Sequence, residues 1–87
     1  MVALTEPDVD GWAVPMSNLG RFETWLAGIL ASKGDRKRAT RFFQYAVTRH
    51  EAAANLLAGR DLEREKTERA FHEAAVERVL AIQRREP

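Results

Sequence analysis

The chain has no cysteine, so neither a disulfide frame nor a thiolate metal site is open to it, and His50 and His72 are the soft ligands left. The Glu-x-x-His and His-x-x-x-His pairings that helical bundles use to hold metals are missing too. Asp8-Val9-Asp10-Gly11 has the opening of a calcium loop, but Leu19 stands at the twelfth position, where such a loop needs an acid. No glycine-rich phosphate loop is present, and neither Ser17 nor Ser32 has a nearby histidine in sequence to activate it. The expectation is a protein that is not an enzyme and uses no cofactor or metal. Long apolar runs are also lacking. The longest, Trp25 to Ala31, is far too short to cross a bilayer, and no basic, apolar leader opens the chain. A cytoplasmic protein with no membrane contact is therefore expected.

An excess of either charge is absent as well, since the formal net charge is +1 over 87 residues. The distribution is nevertheless uneven. Residues 1–32 carry a net −3, residues 33–60 a net +5 and residues 61–87 a net −1. Only the middle third is basic, too little to steer the whole molecule onto a polyanion. The arginine-rich, lysine-poor composition fits GC-rich coding, as in a bacterium or phage.

What the chain does have is helical periodicity. Ala39, Phe43, Ala46, His50, Ala53 and Leu57 recur at alternating steps of four and three, which sets them in one seam that Phe42, Val47 and Ala54 widen. The opposite wall, Arg41, Gln44, Thr48, Glu51 and Asn55, is polar. A second helix over 36–58 follows, and its seam must lie against something. Before it, Leu19, Phe22, Trp25, Leu26, Ile29 and Leu30 predict a first helix over 18–33, capped by Ser17 or Asn18 and roughly 24 Å long at 1.5 Å per residue. Phe22 and Trp25 read as core. Residues 1–17, with two prolines, a glycine and three acids, are expected to form an extended N-terminal arm whose Trp12 pins it to the core or docks a partner.

Gly34-Asp35 and Gly59-Arg60-Asp61 each combine a stop with a start, and a third helix is predicted over 61–86. Its first half is almost wholly charged. Its second half regains a face through Phe71, Ala75, Val79 and Ile82, flanked by His72, Val76 and Leu80. A glycine inside a helix costs only about 1 kcal/mol, so one long rod through Gly59 is the alternative to a hairpin. The fold expected is all-α: a single domain over 18–87, with three helices and a long antiparallel hairpin.

Leu26, Ala27, Leu30, Gly34-Asp35, Ala39, Phe43 and Ala46 together resemble one tetratricopeptide-type helical hairpin, in which small residues let two helices approach closely. Glu23 stands where that family usually has an aromatic residue and Glu51 where it usually has proline, and no second repeat follows. The resemblance implies an antiparallel, closely packed helix pair.

The functional reading is a small non-enzymatic binding protein, a subunit, adaptor or inhibitor, that works through helix-face contacts with a protein partner or its own copy. Because the second and third helices are expected to be longer than the first, the uncovered part of their hairpin is the expected interface. The candidate partner-binding residues are Trp12, Lys33, Arg36, Lys37, Arg38, Arg41 and His50. Of the five basic residues, Arg36, Lys37 and Arg38 open a helix against its dipole, so another purpose is suggested. The alternative is a small basic-faced DNA- or RNA-binding protein, a dimeric helical-hairpin bundle. His50, central in the seam, is expected to be buried in a core or interface, or to meet a copy of itself or His72 and make association pH-dependent.

Overall fold

Each of the two predicted aspartate caps opens a helix. Asp35 Oδ1 accepts from the backbone N–H of Arg38 at 3.1 Å, and Asp61 Oδ1 from that of Arg64 at 3.2 Å. The computed structural model describes residues 9–85, which form α1 (Val9–Ser32), α2 (Arg36–Leu57) and α3 (Leu62–Arg85). Gly34 takes φ +84°, and the N–H groups of Gly34 and Asp35 return to the carbonyls of Ala31 and Leu30, which closes α1 with a Schellman cap. Gly59 takes φ +75°, and the N–H groups of Arg60 and Asp61 return to Leu57. The left-handed glycine breaks the rod, so α2 and α3 form the hairpin.

α2 is central. α1 and α3 each pack antiparallel against it and so run parallel to one another. The seam predicted on α2 is buried along its whole length, from Ala39 and Phe43 through Ala46, His50 and Ala53 to Leu57, while Arg41, Gln44, Thr48, Glu51 and Asn55 are exposed. At one end Ala27, Ala39, Phe43 and Val79 form an apolar cluster with Leu30, Ala31, Phe42 and Ile82 against it. Phe43, which has no exposed surface, is the largest side chain in it. The close helix pair implied by the tetratricopeptide resemblance is present in α1 and α2, with alanine or glycine on the shared side of both.

α1 departs from expectation in two ways. The extended arm is helical from Val9 onward; the rest of it, residues 1–8, lies outside the described residues, as does residue 86 of the predicted third helix. Pro15 sits inside α1, where it cannot donate to the carbonyl one turn back and costs about 3 kcal/mol relative to an ordinary residue. Burial offsets this. Ala13, Gly20 and Ala27 recur every seven residues on the side facing α2 and are all buried, so the small-residue seam continues through the proline. Ser17 is accordingly no cap but a residue in the middle of a helix.

The second departure is which side of α1 is buried. The small side chains point inward and the large ones outward: Trp12 is 61 % exposed, Leu19 43 %, Phe22 54 % and Trp25 61 %. Phe22 and Trp25 are thus not core but pack on each other at the surface, ring centroids 5.8 Å apart, and Trp12 is not pinned inside. The reason is distance. Gly20 lies against the His50 ring and Ala27 in the apolar cluster, an approach too close to admit an indole. At 24 residues α1 is also no shorter than its neighbours, and it carries most of the exposed large apolar side chains, with Tyr45, Leu62 and Leu80 those exposed on the α2–α3 hairpin.

Candidate functional site

The middle of the molecule holds a buried polar node to which each helix contributes one side chain. His50 of α2 is 1 % exposed, and its Nδ1 donates to Glu68 Oε1 of α3 at 2.7 Å. Ser17 Oγ of α1 donates to Glu68 Oε2, also at 2.7 Å. A carboxylate with a donor on each oxygen is well satisfied for a group only 6 % exposed. The Phe71 ring lies 5.0 Å from the imidazole, tilted by 42°. On the other side the imidazole lies against Gly20 so closely that a Cβ there would come within 2.7 Å of Nε2. The order of groups is hydroxyl, carboxylate, imidazole. With the carboxylate in the middle, His50 is not placed to draw the serine proton, and the node joins helices rather than activating a nucleophile.

A turn further along, Glu23 of α1 is buried, with its carboxylate 3.4 Å from Arg49 Nε of α2. That is ion-pair range but not hydrogen-bond geometry, and Glu23 Oε1 and Arg49 Nε are both buried without a hydrogen bond. Glu23 departs from the tetratricopeptide pattern because its partner across the interface is a cation.

Either side of the node, α1 and α3 stand apart and leave a cleft. One part, about 300 Å³, lies among Val14, Ser17 and Asn18 of α1 and Arg64, Thr67 and Glu68 of α3. The other, about 360 Å³, lies between Thr24 and Trp25 on α1 and Ala74, Ala75 and Arg78 on α3, with His50 beneath. Arg21 and Phe71 line both and separate them, the guanidinium carbon 5.7 Å from the ring centre.

The candidate partner residues do not come together. Lys33, Arg36, Lys37, Arg38 and Arg41 are exposed at the end where α1 stops and α2 starts. Arg84 and Arg85 join them there, with Arg36 Nη1 donating to the Arg85 carbonyl at 3.4 Å. This accounts for bases at the start of a helix, because the carbonyl ends of α1 and α3 lie beside them and favour positive charge. Arg38 also pairs with Asp35 at 3.5 Å. Trp12 lies at the far end of α1. His50 is enclosed in between, which corrects the expectation of a contact with His72 or with a second copy: its partner is Glu68, and His72 Nε2 lies 3.6 Å from Glu51 Oε2. Among the described residues no three acidic or histidine side chains are grouped to hold a metal, and no helix is long and apolar enough to cross a membrane.

Glu68, Ser17 and Gly20 escaped the sequence reading. A signal for Glu68 existed, since a step of seven back from the core residue Ala75 lands on it, as an acid in an apolar row. The same step links Gly20 to Ala13 and Ala27. Comparison with protein-family models, curated proteins and solved structures gave no match.

Proposed function

We propose that this chain is a non-enzymatic helical binding protein, a subunit, adaptor or inhibitor working in the cytoplasm of a bacterium or phage-infected cell, that docks the outer face of α1 on a protein partner or a second copy. The observation that supports it is the set of large apolar side chains, Trp12, Leu19, Phe22 and Trp25, turned to solvent on one helix while Ala13, Gly20, Glu23 and Ala27 are buried. Contiguous apolar surface of this kind marks interaction sites. Aromatic residues of this sort supply most of the binding energy at interfaces.

The test is photo-crosslinking in the cells that make the protein, with a benzophenone amino acid at Phe22 and, for comparison, at Asn55 on the polar wall of α2. Adducts to one polypeptide, or to the protein itself, from position 22 alone are the expected result. Equal labelling from both positions, or none, removes the reading.

A second reading, a nucleic-acid binder, draws on the seven bases at the α1–α2 turn, Lys33, Arg36, Lys37, Arg38, Arg41, Arg84 and Arg85. It requires binding to mixed DNA or RNA oligonucleotides that weakens steeply as salt rises, because phosphate contacts release counterions.

A further inference from the structure

We propose that the cleft between α1 and α3 is a docking site for an acidic amphipathic helix of a partner protein, which lies along it as a fourth helix. This surface meets the outer face of α1 at Trp25, which borders both, but the cleft is walled by α3 as well, so it adds a second docking surface to the binding role above. Three features select the occupant.

The first is spacing. The lining of one hollow includes Ser17 and Thr67 and that of the other Thr24 and Ala74, each seven residues further along its helix. Seven residues are two turns, or about 10 Å. Side chains at i and i+7 of a helix have the same separation and would enter one hollow each, with the Arg21–Phe71 bridge beneath the turn between them.

The second is lining. The hollow beside Trp25 is walled by Ala74, Ala75 and Phe71, which suits a leucine-sized side chain. The other presents Ser17, Asn18 and Thr67, which suits a small or polar one.

The third is charge. Arg21 and Arg78 border the cleft, and among the described residues neither is in an ion pair: Arg21 lies over Phe71, and Arg78 over the Phe43 ring at 5.1 Å. Glu68, the acid that lines the cleft, already accepts from His50 and Ser17. Two guanidinium groups bordering the cleft call for carboxylates on the rim of whatever fills it.

The experiment measures fluorescence anisotropy of labelled peptides of about 18 residues, long enough to span about 27 Å as a helix. One peptide has a leucine and a serine seven residues apart, one for each hollow, with glutamates flanking that face. A second replaces the glutamates with lysine, and a third keeps the acidic composition in a scrambled order. The wild-type protein should bind the first at least tenfold more tightly than the others. Arg21→Glu with Arg78→Glu should abolish that preference and favour the lysine peptide instead. Ala74→Trp, which fills one hollow without altering charge, should weaken binding at least tenfold, and Leu19→Glu, on the outer face and in neither hollow, should leave it unchanged. Equal binding of all three peptides, no binding of any, or indifference to the arginine and Ala74 variants overturns the proposal. Because Leu19→Glu reports on the outer face alone, failure here is distinguishable from failure of the crosslinking test.

Discussion

Where Phe43 meets Ala27 and Val79 the interior is wholly apolar, whereas two turns on, at His50, the same seam holds an imidazole, a carboxylate and a hydroxyl. Phe43 and His50 are both closed to water, but the two regions contribute differently. At the Phe43 end, stability comes from area removed from solvent and grows with every carbon. At the His50 end, taking polar groups out of water offsets much of what their mutual bonds return, so the value of the node lies in all its members being present together. Apolar packing tolerates small losses. A polar node does not.

Removing the aromatic ring from the apolar end should have the largest effect. Phe43→Ala is expected to cost about 3–5 kcal/mol, since the surrounding alanines cannot collapse into the void. Urea denaturation followed by circular dichroism measures it, and a loss below about 1 kcal/mol would mean that this end is not the main core.

The node should respond differently to one change than to two. Glu68→Ala strands the donors of His50 and Ser17 and is expected to cost about 2–3 kcal/mol. Glu68→Met combined with His50→Leu removes the need for a carboxylate and should recover at least half of that loss. A double variant as unstable as the sum of its single changes would show that the two side chains act independently, and the contrast between the ends would fail.

The smallest effects sharpen the comparison within one helix. Gly20→Ala gains helix propensity but sets a methyl 2.7 Å from an imidazole held by Glu68, and a net loss of about 1–2 kcal/mol is expected. Gly28, eight residues on, faces open space, and a methyl added there would meet nothing within 4 Å. Gly28→Ala should therefore stabilise by about 0.5–1 kcal/mol. Thermal melts of the two single variants should move in opposite directions.

α2 was almost fully legible in the sequence because one of its faces is buried and the other solvated, so hydrophobicity and position agree. Both aspartate caps and both glycine stops were legible for the same reason, each being a local chemical event. α1 misled because its large apolar residues and its buried residues are different sets. Periodicity of Leu19, Phe22, Trp25, Leu26, Ile29 and Leu30 correctly marks a helix, and Leu30 does pack on the core, but Leu19, Phe22 and Trp25 face outward, because the small size of Ala13, Gly20 and Ala27 decides the buried side. Pro15 and Gly11 argued for an arm on local grounds that tertiary packing overrode. The node was half visible. His50 stood out on its seam, while Glu68 and Ser17 lie 18 and 33 residues away from it in sequence and became partners only through two helix reversals.

The sevenfold recurrence of small side chains has one more consequence. Ala13, Gly20 and Ala27 on α1 face Ala39, Ala46 and Ala53 on a neighbour with the same beat, so sliding one helix along the other by two turns, about 10.5 Å, would again lay small on small. Such a pair has several nearly equivalent alignments, and alanines alone would not choose between them. The imidazole chooses. Shifted either way, it would meet Ala13 or Ala27 in place of Gly20, the one member of that row without a methyl, so a single missing carbon favours the observed alignment of α1 on α2.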